Sequence, residues 1–257
     1  MRYFSLGHRL PHLIAAALYG DRKRHGLVPQ TKDPCWQEWE SRYLDFYYAN
    51  QKSSIGKLVN DAGYRILRKV DLSGANVLEI GPGDIPHLDQ WQGTPRCYVI
   101  ADIQQEMLDR SSRRLAERNI PFETRLLKRD EIRCLPFATG EFDAILSFYS
   151  LEHLFPLQAT LTEMVRILRP GGCLVGGIPT ECGLAWGLGR FLTSRRWLKK
   201  HTTIDPGKII CWEHPNFAEH ILKLMDRVLV RRHIRYWPLW VPLIDVNLVV
   251  SFVYERA

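Results

Sequence analysis

Short apolar runs recur through the middle of the chain, separated by longer stretches in which apolar residues return every three or four positions. The runs at Asn76–Ile80, Cys97–Ile100 (closed by Ala101-Asp102), Phe122–Leu127, Phe142–Phe148 and Cys173–Ile178 are long enough for buried strands and too short for helices. Between them, three stretches carry one-sided helical stripes: Ile55, Leu58, Val59, Ala62 and Ile66; Met107, Leu108, Ser111 and Leu115; Leu157, Leu161, Met164, Val165 and Leu168. Ser53 or Ser54 is placed to cap the first stripe. Arg169-Pro170-Gly171-Gly172 breaks the third. Near the end, Pro215 opens a helix through Met225, and Val228–Ile234 and Val246–Tyr254 read as two further strands.

The ends of the chain follow a different pattern. Residues 1–50 form an N-terminal extension in which Leu6, Leu10, Leu13, Ile14, Ala17 and Leu18 give one apolar helix face. Such a face packs on a core, closes a cleft or lies on a membrane. Base rates for soluble proteins favour packing or a lid. A second helix carries Trp36, Trp39, Tyr43, Phe46, Tyr47 and Tyr48, as core or as the wall of a substrate pocket. In residues 180–212, Gly183, Gly187 and Gly189 suggest mobility, and Arg190, Arg195, Arg196, Lys199 and Lys200 form a basic cluster without acids between them. This segment is either an insertion that reads an anionic substrate or a solvated face. The connection Trp237–Pro242 is too apolar for an ordinary loop and reads as a contact surface.

The stretch N-V-L-E-I-G-P-G-D at 76–84 carries the candidate chemistry. Glu79 interrupts the apolar run, and a carboxylate at the end of a buried strand is costly unless a cation or a hydrogen-bond donor meets it. Gly81 and Gly83 let the backbone turn sharply and leave it uncovered for a ligand. A helix is expected next, its free N–H groups facing that ligand. A dinucleotide fingerprint needs a third glycine, but Pro86 holds that position, and Pro82 removes an N–H that a pyrophosphate would use. Glu79 and Asp84 favour a positively charged ligand. S-adenosylmethionine, a nucleoside with an ammonium, a sulfonium and no phosphate, fits. Asp102 follows Gly83 by 19 residues, near the spacing at which an acid reaches ribose hydroxyls in nucleotide-binding α/β units.

Four segments in order, V-L-E-I-G-P-G-D (77–84), V-I-A-D-I (99–103), L-P-F-A-T-G-E-F-D-A-I-L-S-F-Y-S-L-E-H-L (135–154) and R-I-L-R-P-G-G-C-L-V-G-G-I-P (166–179), resemble the class I S-adenosylmethionine-dependent methyltransferases, type 11 group. The resemblance spans about residues 55–180. It implies an α/β fold: a Rossmann-like, seven-stranded, mostly parallel sheet with helices on both faces and the last strand antiparallel. A methyltransferase domain would then occupy 51–257, with 180–212 as an insertion shaping the acceptor site. It also implies that Glu79, Gly81, Pro82, Gly83, Asp102, Ile103 and Ser147 bind the cofactor. Asp130 or Glu131 would accept from the adenine amine, with Glu131 closer to the usual offset from L-P-F. The end of the fourth strand, Ser147–His153, would line the cleft, because ligands in such sheets bind beyond the strand carboxyl ends.

Composition narrows the rest only slightly. The chain has 257 residues, 46% hydrophobic and 25% charged, and a net charge of +7 that permits an acidic partner without selecting one. Six scattered cysteines without a C-x-x-C pair argue against a zinc site and for a reduced, cytoplasmic protein; Cys97 and Cys173 read as buried thiols. No apolar run reaches the length of a transmembrane helix. A general base is needed only for a hydroxyl or protonated-amine acceptor, and His153 and His214 are the leading candidates, ahead of Glu152, Tyr149 and Glu213. The expected acceptor is a small molecule or glycan, methylated at oxygen. The alternative is an RNA methyltransferase using the basic segments 190–200 and 227–235, against which stands the lack of an N-P-P-Y or D-P-P-Y flipping motif. Peripheral membrane contact stays open, and oligomeric state is not legible.

Overall fold

A computed structural model describes residues 3, 5–52, 54–129 and 131–257, with the backbone alone for residues 45, 47–52, 54 and 55. The Ser53/Ser54 cap, Asp130 and the side chains of Tyr47, Tyr48 and Ile55 therefore lie outside the described residues. In chain order the elements are α1 (His12–Tyr19), α2 (Arg22–His25), α3 (Pro34–Lys52), α4 (Ser54–Tyr64), β1 (Asn76–Ile80), β2 (Cys97–Asp102), α5 (Gln105–Glu117), β3 (Phe122–Leu126), β4 (Phe142–Phe148), α6 (Leu157–Ile167), β5 (Leu168–Pro179), α7 (Leu184–Leu192), α8 (Ser194–His201), α9 (Pro206–Glu213), α10 (Ala218–Val228), β6 (Val230–Trp237) and β7 (Val249–Glu255). They form two compact units. One comprises the described residues of Met1–Ala62, Pro179–Ile221 and Tyr236–Val250; the other comprises Gly63–Ile178, Leu222–Arg235 and Ser251–Ala257.

The second unit is built on the sheet. Seven strands lie in the order β3-β2-β1-β4-β5-β7-β6. β1 pairs in parallel with β2 and β4, β2 with β3, and β4 with β5. β7 runs antiparallel to β5: Gly171 N–H donates to Arg256 O, and Arg256 N–H returns a bond to Gly172 O. Val77, Tyr98, Ile100, Ala144, Leu146, Phe148, Val175 and Val253 share one apolar layer with Ile66, Leu67, Leu72, Leu108 and Leu115. The central strands are buried along their length, as a sheet covered by helices on both faces requires. β3 is an exposed edge, and Glu123 and Arg125 on it discourage pairing with another chain.

The β1–β2 connection and the start of β5 differ from expectation. No α-helix follows Gly83; the β1–β2 connection holds only a single 3₁₀ turn, Leu88–Gln90. Gly81, Gly83 and Ile85 have φ of 69°, 58° and 39°, and Pro82 and Pro86 lack N–H groups, so a right-handed helix cannot start there. β5 begins at Leu168 rather than Cys173. Between Phe142↔Leu168 and Ala144↔Cys173, β4 advances two residues while β5 advances five, so Arg169-Pro170-Gly171 bulges out of a strand that continues past it.

The first unit is mainly helical. Trp36, Trp39, Leu198, Ile204, Ile209, Cys211 and Trp212 form its core, with Tyr43 and Phe46 against them. Trp36 meets Trp212 edge-on at 6.1 Å, and Trp39 meets Phe46 at 5.1 Å. The polar ends of these rings are satisfied: Trp39 Nε1 donates to Glu213 at 2.8 Å and Trp212 Nε1 to His25 O at 2.9 Å. The helix expected from Pro215 starts at Ala218, and α9 precedes it, capped by the Asp205 carboxylate accepting from Gly207 N–H. Residues 180–212 hold α7, α8 and part of α9. Gly187 serves close approach rather than mobility, since a Cβ there would lie 2.6 Å from the Tyr19 ring. Cys97 and Cys173 are only half-buried, while Cys182 and Cys211 are the buried thiols. Among the described residues no helix is long and apolar enough to cross a membrane.

Candidate active site

Parallel register brings the carboxyl ends of the strands level. Ile80 stands opposite Ala101, and Gly81 N–H donates to Ala101 O at 2.9 Å, so Gly81 lies beside the residue before Asp102. Leu126 faces Asp102, and Leu127 N–H donates to Asp102 O at 2.8 Å. Leu146 faces Glu79, which puts Ser147 level with Ile80. Gly81–Gly83, Asp102, Ile103 and Ser147 are thereby gathered at one edge of the sheet unit. Glu131 follows β3 in a 3₁₀ turn, where its carboxylate accepts from Lys128 N–H at 2.7 Å.

Glu79 is almost fully buried, and both its oxygens are occupied. His87 Nε2 lies 2.8 Å from Oε1, and the Tyr98 hydroxyl donates to Oε2 at 2.6 Å. Trp91 Nε1 donates to His87 Nδ1 at 3.1 Å, which leaves Nε2 to carry the proton toward Glu79. Burial beside this carboxylate pushes the Tyr98 phenol well above its ordinary range. The donors that the buried glutamate requires are thus supplied by the protein. Asp84 likewise pairs with Arg114 at 2.7 Å. The charge argument for a cationic ligand therefore passes from Glu79 and Asp84 to Asp102.

Asp102 is the acid at this edge that burial leaves poised. Loss of solvent, reinforced by the Glu79 charge, lifts its carboxyl to about 6 against the opposing pull of the Gln104 and Ile103 amides and of His153. Its Oδ1 accepts from Gln104 N–H at 2.8 Å. A desolvated carboxylate of this kind gains from a ligand that donates hydroxyl protons to it. The loop beside it is a tight backbone cradle. A Cβ on Gly81 would fall 2.8 Å from Ser150 Cβ, and the left-handed backbone there excludes most side chains. Both features fit a nucleoside held by its ribose against the main chain.

Several residues that hold this loop carry no mark in the sequence. Ser150 Oγ donates to Ile80 O at 3.0 Å and lies 2.5 Å from Ser147 Oγ, so the predicted Ser147 is buried and tied to Ser150. Ser111 Oγ donates to Gly83 O at 2.8 Å, and Arg114, one turn along α5, holds Asp84. Tyr149 adopts φ 54° with its N–H on Gly177 O at 2.8 Å, an unusual conformation for a bulky residue at a strand end. Tyr64 packs on His87, Phe148 and Tyr149. Only the need of buried Glu79 for donors pointed toward such partners.

The two candidate bases fall in different units. His153 belongs to the sheet unit, where its N–H donates to Ser150 O at 3.0 Å. His214 belongs to the helical unit, with Nδ1 2.7 Å from Oε1 of the buried Glu181. Arg190 pairs with the same Glu181 oxygen, and Trp186 Nε1 donates to it at 3.1 Å. Arg22 donates to the backbone oxygens of His214 and Pro215, both at 2.6 Å, which fixes the chain at this imidazole.

Residues 78–176 match the family model described as a methyltransferase domain, type 11, and the whole match falls within the sheet unit. The chain carries a class I S-adenosylmethionine-dependent methyltransferase domain of the type 11 group. It is similar to a demethylmenaquinone methyltransferase of Symbiobacterium thermophilum, 32% identical over 159 residues, covering 59% of this chain and 62% of the relative. It is also similar to the ubiquinone/menaquinone biosynthesis C-methyltransferase UbiE of Francisella tularensis subsp. novicida, 24% identical over 151 residues, covering 54% and 60%. The chain thus spans about three-fifths of the length of these curated relatives. Among solved structures, the N-methyltransferase NodS of Bradyrhizobium japonicum in complex with S-adenosyl-L-homocysteine shares the fold, with a TM-score of 0.57, 18% identity, and coverage of 87% of this chain and 99% of that one.

Proposed function

We propose that the chain is a methyltransferase that moves the methyl group of S-adenosylmethionine to a small-molecule or glycan acceptor at oxygen. The observation that carries the cofactor half is the level placement of Gly81 and the desolvated Asp102 at the carboxyl ends of β1 and β2. In this reading Asp102 accepts from the ribose hydroxyls, the main chain of Gly81–Gly83 lines the amino-acid end, Ile103 packs on the adenine and Glu131 accepts from its amine. Glu79 acts at one remove, by holding β1 to His87 and Tyr98. Bound cofactor supplies an electrophilic methyl group on a good leaving group, so positioning and exclusion of water can provide most of the rate.

Relatives whose names state an acceptor support a small molecule over a nucleic acid: the Symbiobacterium protein is named for demethylmenaquinone. The basic segments favour RNA less than their composition suggested. Arg232 is held by Glu255 at 2.7 Å, and Arg190 by Glu181. Residues 1–50 and 180–212 shape acceptor recognition in this reading. An oxygen acceptor must lose a proton, and His153, in the same unit as Asp102 and close enough to act on its charge, is the favoured base, with His214 the other candidate.

Calorimetry with S-adenosyl-L-homocysteine, S-adenosylmethionine and NAD tests the cofactor half. Binding of the first two, lost in Asp102→Ala, is expected; uptake of NAD alone would overturn it. Transfer of labelled methyl groups to quinone precursors, nucleotide sugars and RNA tests the acceptor half, and RNA as the labelled species would overturn that.

A further inference from the structure

The helical unit carries apolar side chains that its own chain leaves uncovered. Leu13 on α1 is 82% exposed and Trp240 is 57% exposed; Leu188, Leu192, Leu239 and Leu243 are similarly bare. They are not scattered. α7 packs against α1, against α8 and against the turn Ile244–Val246, which directly follows residues 239–243 in the chain. Asp245 ties this turn to the start of α7 and to the chain ahead of α1: its carboxylate accepts from Leu184 N–H at 3.2 Å and from Leu6 N–H at 3.0 and 2.9 Å.

The apolar loop is rigid rather than loose. Buried Asn247 accepts from Leu239 N–H at 2.9 Å and donates to Val241 O and Leu243 O at 2.9 and 2.7 Å. Between those clamps Trp240 is held at φ 61°, outside the ordinary range for its type, with its ring exposed. A chain that orders a tryptophan outward in this way presents a surface.

Charge selects the occupant. α8, packed on α7, exposes Arg196, Lys199 and Lys200, and no acidic residue occurs between Glu181 and Asp205. A second copy of this face would set like charges against each other. RNA would satisfy the cations but has no use for exposed leucines. An anionic bilayer meets both: leucine and tryptophan enter the headgroup–acyl boundary while lysine and arginine meet lipid phosphates.

We propose that the α1, α7, α8 and 239–243 surface docks the protein on an anionic lipid bilayer. Docking is independent of methyl transfer and can be read without it. The test is sedimentation of the full chain with phosphatidylcholine vesicles, with and without phosphatidylglycerol. Binding to the anionic vesicles alone at low salt is expected, weakening as salt rises. Lys199→Gln with Lys200→Gln should lower the partition coefficient by about 25-fold, from roughly fivefold per charge near such a surface. Leu13→Ser with Trp240→Ser should lower it at least tenfold, and unchanged circular-dichroism melting would confirm that these variants fold. Failure of the native chain to bind anionic vesicles would overturn the proposal, as would equal binding to both vesicle types or binding indifferent to the substitutions. A concentration-dependent dimer abolished by Leu13→Ser with Trp240→Ser, without vesicle binding, would assign the face to a second copy instead.

Discussion

The carboxyl of Asp102 titrates near 6 because the strand ends around it keep water away, a placement that costs stability and that, in the proposed reading, serves cofactor binding. Its ordinary value is 3.8, so between about pH 4 and 6 the folded protein holds a proton that the unfolded chain has lost. The group therefore favours the fold below that window and loses the contribution as pH rises through about 6, a change on the order of 1–3 kcal/mol. Asp102→Asn should raise the melting temperature of the ligand-free protein at pH 7 while weakening S-adenosyl-L-homocysteine at least tenfold. Affinity in the native protein should climb from pH 5 to 7 as the carboxylate ionises, and calorimetry across that range should show a flat profile in the variant. Glu79 makes the complementary point. Tyr98→Phe would strip a donor from a buried carboxylate and should cost about 1–3 kcal/mol, measurable by urea denaturation. The strand and its acid were legible from the short apolar run that Glu79 interrupts. The identity of the donors was not, because His87 and Tyr98 reach Glu79 only after the β1–β2 connection has folded back.

At the scale of elements, the glycine-rich turn is held from two sides. Ser150, beyond the end of β4, fastens Ile80 O, and Ser111 on α5 fastens Gly83 O. Gly81→Ala would force a Cβ into the left-handed region and against Ser150, so it should destabilise the sheet unit by more than about 1 kcal/mol and abolish cofactor binding, as urea denaturation and calorimetry would show. The expected helix after Gly83 failed for a local reason that the sequence did contain: two prolines and two glycines within six residues. The β5 bulge had no such signal, since Arg169-Pro170-Gly171-Gly172 reads as a break whether the strand starts before or after it. In the helical unit, Asp245 plays the fastening role. Asp245→Ala should speed amide hydrogen exchange at Leu6 and Leu184 while leaving β1, β2 and β4 protected, a contrast that mass spectrometry of peptides would show.

For the whole molecule, ligand linkage gives the broadest check. S-adenosyl-L-homocysteine at 100 times its dissociation constant should stabilise the fold by about 2.7 kcal/mol, read as a rise in melting temperature absent from Asp102→Ala. The sequence by itself determined the sheet, its seven strands and the strand-end positions of Gly81, Gly83 and Asp102. Strand burial, glycine turns and acid spacing are local signals that survive in one dimension. Tertiary structure decided which groups those signals meet. It gave Glu79 and Asp84 partners inside the protein, set the imidazole of His214 beside Glu181, and left Leu13 on α1 in the open although its helical stripe favoured packing or a lid. A stripe records that a residue is apolar and faces one way. Whether anything lies on that side depends on segments tens to hundreds of residues distant, and only the folded chain brings them within reach.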